Sequence, residues 1–189
     1  MAKSVREGAD SVDRTDTRIR KIPEFEKTKE KMKDDELYQK NLEKESSIQE
    51  ASQEDLKWAD GICWGTPTRF GNMSAQMKQF LDSTGGLWLE GALEGKPAGL
   101  FTSTSTIHGG QETTLISSMI PLIHHGMIIV GAPYNQNPQL KTVDGIGGSP
   151  YGPGTLADTD NSREPDEREL EVAENLGKRV AEVAKSLKD

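Results

Sequence analysis

The sequence predicts an α/β fold, a parallel sheet with helices on both faces, from three features. Short apolar runs at residues 62–64, 97–102 and 127–130 are separated by segments whose apolar residues recur at helical spacing. Strand and helix therefore alternate, as in βαβ units. The first two runs each break into a loop rich in Gly, Ser and Thr before the next helix begins. Such loops lie at the carboxyl edge of the sheet, where open α/β sheets bind ligands. A chain of 189 residues has the size of one domain of this kind, so residues 1–189 are read as a single domain.

Taken in order, residues 4–12 put Val5, Ala9 and Val12 on one side of a helix. Residues 17–22, with Ile19 and Ile22 set among basic residues, read as a short exposed strand ending before Pro23. Between residues 24 and 55, 17 of 32 residues are charged, with both signs mixed and the apolar residues thinly spaced. That stretch is a charged insertion or mobile segment, a solvated helix at most, and no function attaches to it. Ser52 and Asp55 ahead of Leu56 and Trp58 mark a short helix leading into the strand at 62–64.

The strand breaks at Gly65 into a loop shaped by Pro67, which fixes one backbone angle, and by Gly71, which permits angles that side chains forbid. The helix after it carries Met73, Met77, Phe80, Leu81 and Thr84. The strand at 97–102 runs into the loop 103–110, and the next helix turns Leu115, Ile116, Met119, Ile120 and Ile123 inward. Pro121 should kink that helix or end it early. Residues 127–130 are wholly apolar, which predicts an interior strand. Residues 133–162 lack periodicity over a length that is usually functional or disordered. Asp166 and Glu169 form a capping-box pattern that opens the closing helix, with Ala173, Leu176, Val180, Ala184 and Leu187 on one face.

The formal charge of -8 excludes a phosphate-binding nucleic-acid groove, which needs clustered Lys and Arg. No apolar run approaches the roughly 20 residues that span a bilayer, and no signal-peptide segment follows Met1, so a cytoplasmic protein is expected. The single cysteine, Cys63, lies in an apolar strand and reads as a buried, inert thiol. Three histidines with no cysteine or carboxylate at ligand spacing make no metal site. Taken alone, His124 and His125 before Gly126 read equally well as helix C-terminal histidines, and Trp88 as a packing residue or an exposed one carried out of its helix by Gly85 and Gly86.

Several blocks carry a resemblance. GTPTRFGNMSAQMKQFLDSTGGLW from Gly65, FTSTSTIHGGQE from Phe101, HHGM from His124 and GGSPYG from Gly147 are similar, in the same order, to the WrbA-type NAD(P)H:quinone oxidoreductases, which are flavodoxin-like FMN proteins. The resemblance implies a flavodoxin-like sheet, FMN as cofactor, NAD(P)H as co-substrate and two-electron reduction of a quinone. It implies that Thr68, Arg69 and Phe70, in one loop with Gly71 and Asn72, contact the flavin and its ribityl chain. Ser103, Thr104, Ser105, Thr106 and His108 would hold the polar edge of the ring. His124 would donate a hydrogen bond to the reduced ring, and Trp88 would line the pocket where quinone or nicotinamide stacks, completed by neighbouring subunits of a tetramer. The family carries a run of glycines where this sequence has Ile107 and His108, with one residue more. In the family the first helix follows a central strand and a phosphate-binding turn, and both are expected to be absent here, an N-terminally truncated member. The rival reading is a non-catalytic remnant or subunit-interaction protein with weak or no FMN binding; Trp88 and His124 disfavour a one-electron carrier.

Overall fold

The computed structural model describes residues 1–160 and 162–188. The chain opens with α1 (Ala2–Asp10), followed by an extended stretch through residue 22, and then α2 (Glu26–Lys31) and α3 (Glu36–Lys44), neither of which has a buried residue. The charged segment thus carries two short helices joined by turns, with no buried residue in either helix. The expected strand at 17–22 is extended but joins no ladder, since its one bridge pairs Lys21 with Glu50. α4 (Gln53–Trp58) starts at a capping box in which Ser52 and Asp55 satisfy each other's backbone amides.

β1 (Ile62–Pro67) leads through the first loop to α5 (Ala75–Asp82) and the short α6 (Gly85–Leu89). Gly85 and Gly86 lie inside α6, so they do not carry Trp88 out of the helix; its indole is exposed because it sits on the outer side. β2 (Pro97–Thr104) pairs with β1 in parallel, from Ile62 opposite Ala98 to Pro67 opposite Ser103. α7 (Gln111–His124) follows the second loop and runs three residues past Pro121 before it ends.

β3 (Ile128–Ile129) pairs with the start of β2, and β4 (Gly154–Leu156) pairs with its end. The two stubs share one edge of β2, so the run at 127–130 is an outer strand with Ile128 exposed, not the interior strand that its composition predicts. The later half of that edge is taken by β4, from within the long stretch after Pro133. That stretch therefore holds a 3-10 turn (Pro138–Lys141) and a sheet strand rather than a structureless loop, while Asn161 lies outside the described residues. The chain closes with α8 (Glu167–Ser186), capped by Asp166 and Glu169 as the sequence predicts.

Strand alternation sorts the core into two layers. Trp64, Ala98 and Leu100 point to the face covered by Leu56, Met77, Leu81, Leu115 and Leu122. Cys63 and Phe101 point to the other face, against Leu176 and Val180 of α8. α1 lies beside α8 at very close range. A Cβ on Gly8 would sit 1.8 Å from the Glu174 carbonyl oxygen, and one on Gly177 would sit 1.8 Å from that of Val5. Gly177→Ala should therefore prise α1 from α8, and a fall in the thermal midpoint would show it. Among the described residues no helix is long and apolar enough to cross a membrane.

Candidate active site

The first loop leaves the carboxyl end of β1 and makes a tight turn. Arg69 and Asn72 exchange backbone hydrogen bonds of 2.7 and 3.1 Å. The two residues between them, Phe70 and Gly71, have φ of 54° and 77°, the positive values of a type I′ turn. Glycine adopts this conformation freely, whereas Phe70 does so at a cost of about 1–2 kcal/mol. The strain leaves the Phe70 ring entirely in solvent. Arg69 folds back to donate to the Thr68 carbonyl at 2.7 Å, and among the described residues it pairs with no carboxylate.

Thr68 joins this loop to the second one. Its hydroxyl accepts from Thr114 (2.8 Å) and the Gly71 amide (3.2 Å), and donates to the Gly109 carbonyl at 3.4 Å. The backbones touch as well, since a Cβ on Gly110 would lie 3.0 Å from the Gly71 Cα. In the second loop Thr104 donates to the Thr106 carbonyl at 2.9 Å, and Ser105, Thr106, Ile107 and His108 are exposed. Among the described residues, no amide from Ser105 to His108 donates a hydrogen bond. One sheet edge therefore presents unspent amides and hydroxyls, an unpaired guanidinium and a flat apolar ring. That donor set fits a planar, polar-edged heterocycle with an anionic tail, which is the character of FMN.

Phe70→Asn separates strain from function, because Asn tolerates the left-handed region. Stability is expected to hold or rise by about 1 kcal/mol, while flavin retention weakens. A variant that loses stability and keeps its flavin would contradict this role.

Trp88 and His124 lie elsewhere. The Trp88 Nε1 donates to the His124 carbonyl at 2.9 Å, which ties α6 to the last turn of α7. α7 begins at the second loop and runs 14 residues away from it, about 20 Å at 1.5 Å per residue. No imidazole spans that distance. The structure thus brings Thr68, Arg69, Phe70, Gly71 and Asn72 together with Ser103, Thr104, Ser105, Thr106 and His108, and joins Trp88 to His124 at the opposite edge. His125 is a structural residue. The Thr84 hydroxyl donates to the Leu81 carbonyl (2.6 Å), so the His125 Nε2, 2.9 Å from that hydroxyl, carries the proton. Its buried Nδ1 has no partner among the described residues, and burial lowers its pKa, which favours the neutral ring.

The roles of two residues behind the loops escaped the sequence reading. Gln111, buried, donates to the Thr104 hydroxyl (3.1 Å) and accepts from the Gly148 amide (2.8 Å). Glu169, fully buried, accepts from the amides of Gly147, Leu156 and Asp166, from the Thr155 hydroxyl and from Arg163. The capping-box pattern announced Glu169 as a helix-start residue. Nothing near it in sequence announced that the same carboxylate gathers the long segment and β4. Cys63 is half-buried rather than fully buried as expected, and desolvation pushes its thiol up to about 12.

Residues 3–139 match the NADPH-dependent FMN reductase family. The chain belongs to that family. Its relatives include a protein of Aromatoleum aromaticum named NAD(P)H dehydrogenase (quinone), 45% identical over 99% of this chain and 89% of the relative. Another of the same name, from Solidesulfovibrio magneticus, is 47% identical over 100% of this chain and 92% of the relative. A solved WrbA-like flavodoxin from Agrobacterium tumefaciens superposes with a TM-score of 0.66 at 24% identity, covering 98% of this chain and 87% of that one. The likeness establishes the flavodoxin-like fold for this FMN reductase family member.

Proposed function

We propose that this chain is an FMN-dependent NAD(P)H:quinone reductase whose working site takes its flavin loops from one copy and Trp88 with His124 from another, in a cytoplasmic tetramer. What supports the activity is family membership together with the name that two full-length relatives share. What supports the shared site is the separation between the loops and Trp88. Residues that cannot meet within one copy can meet across two, and the surface that would bring them together is apolar. Ile116, Ile120 and Ile123 form an exposed stripe along α7, and Leu89 is exposed beside Trp88.

FMN, when bound, supplies the hydride relay between nicotinamide and quinone. Thr68, Asn72 and the amides of residues 105–108 orient it through its polar edge. Arg69 supplies positive charge for the anionic tail on a chain of net charge -8. Phe70, exposed in the free chain, would offer its flat face to the bound flavin. The second copy's Trp88 offers a flat apolar wall for the acceptor ring, and its His124 a donor at the chain's other edge. The ordered, mutually bonded loops count against a non-catalytic remnant.

The test is NAD(P)H consumption by the purified chain with FMN saturating. It should require both added quinone and the protein-bound flavin. NAD(P)H oxidation that proceeds equally well without quinone, with FMN leaving the protein reduced at each turnover, would instead make FMN the substrate. Light scattering at micromolar concentration should give an assembly larger than one chain; a monomer would contradict the shared site.

A further inference from the structure

Gln111, the first residue of α7, sits buried behind the second loop among groups whose hydrogen-bonding sense is fixed. The Gly148 amide, 2.8 Å away, can only donate, so the side-chain oxygen of Gln111 faces it and the side-chain nitrogen faces the Thr104 hydroxyl at 3.1 Å. That nitrogen can only donate in its turn. The Thr104 hydroxyl therefore accepts from Gln111 and has its one hydrogen left for the Thr106 carbonyl, 2.9 Å away. The same carbonyl accepts from the Gly109 amide at 3.0 Å, which fills both of its lone pairs.

A trans peptide unit is planar, with its carbonyl and its amide pointing in opposite directions. The Thr106 carbonyl is held toward the buried Thr104 hydroxyl, so the Ile107 amide of the same peptide is turned outward. Among the described residues it donates no hydrogen bond. The Ile107 side chain rests against the segment before Gly148, since a Cβ on Gly145 would lie 2.8 Å from its Cδ1. The segment that Gln111 grips thus also backs the residue whose amide is turned out. Gln111 itself has no room to shift toward β4, because a Cβ on Gly154 would collide with its Oε1.

We infer that Gln111 is the positioning residue of the second loop: through Thr104 and Thr106 it aims the Ile107 amide at an acceptor on the polar edge of the ring, an assignment that rests on the flavin reading of this site. One donor among residues 105–108 is thereby singled out, together with the side chain that sets its direction. Gln111 touches no ligand. It acts by preorganisation, because an amide already turned out and held there costs little to orient when the ring arrives. The Thr104 hydroxyl, buried and committed on both sides, serves the ring only by this route. Without the Thr104 bond the Thr106 carbonyl keeps only the Gly109 amide, and a peptide free to flip meets a ring acceptor with a lone pair in place of a donor.

The probes are FMN and lumiflavin, the flavin ring without its tail, each titrated into the full chain by fluorescence. Gln111→Met and Thr104→Val cut the relay at two points and keep side-chain volume. Each should weaken both probes by the same factor, about tenfold, because the aimed donor serves the ring and not the tail. The double variant should be no weaker than either single one, since both break one series of bonds. Amide hydrogen exchange gives a readout apart from turnover. Saturating lumiflavin should slow exchange of the Ile107 amide about tenfold or more in the wild-type chain and leave it fast in both variants. Losses that multiply in the double variant, a Gln111→Met chain that binds lumiflavin as tightly as wild type, or an Ile107 amide that stays fast in the wild-type complex would each overturn the relay, and the last needs no variant to fold. A wild-type chain that binds neither probe would overturn the flavin reading itself, and the relay with it.

Discussion

Glu169→Ala is expected to lower the unfolding free energy by about 3–5 kcal/mol, the range for removing one partner of a buried ion pair. The carboxylate is fully buried, 3.0 Å from the Arg163 guanidinium, and its loss would strand the amides of Gly147, Leu156 and Asp166 as well. β4 would lose its tether to α8, and the second loop the Gly148 partner that Gln111 holds. Burial alone would raise the Glu169 pKa. Arg163, the amides of Gly147 and Asp166 and the Thr155 hydroxyl outweigh it and hold the group below the ordinary carboxylate range. A depressed folded-state pKa contributes stability above the unfolded value and loses it as pH falls through the folded one. Wild-type protein should therefore weaken below about pH 4, with a shallower acid slope in Glu169→Gln. Urea unfolding at neutral and acid pH measures both. A loss under about 1 kcal/mol at neutral pH would mean that the carboxylate is dispensable.

Trp88→Ala is expected to reduce kcat/KM for quinone about 30-fold, the ~2 kcal/mol typical of truncating an aromatic anchor. FMN retention should be nearly unchanged, because in the proposed site Trp88 lines the acceptor's side and makes none of the bonds that hold the flavin. Trp88→Phe keeps a flat wall and loses only the Nε1 bond to His124, so most of the activity should return. Loss of flavin with normal quinone kinetics in the remaining holoenzyme would reverse the assignment.

The contrast between what the sequence announced and what it concealed has a physical basis. The loops at 65–72 and 103–110 were legible because strand, glycine turn and helix follow one another within a few residues, and their chemistry is local. The caps at Ser52 and Asp166 were legible for the same reason. β3 was misplaced because four apolar residues look alike at the centre and at the edge of a sheet. Which position they take depends on β4, more than 20 residues further on. The role of Glu169 depends on groups 13 to 22 residues away that no local pattern links to it. The distance of His124 from the loops follows from the length of helix α7, whereas the bond from Trp88 to the His124 carbonyl, 36 residues further along, is legible only in three dimensions.

Subunit mixing tests the shared site most directly. Trp88→Ala protein and a Thr68→Val, Arg69→Ala double variant, each nearly inactive alone with FMN saturating, are unfolded together in equal amounts and refolded. If each site takes its loops from one copy and its Trp88 from another, random assembly leaves about a quarter of the sites intact. NAD(P)H:quinone turnover should then recover to about a quarter of the wild-type value. A mixture that stays at the average of its two components would contradict the account.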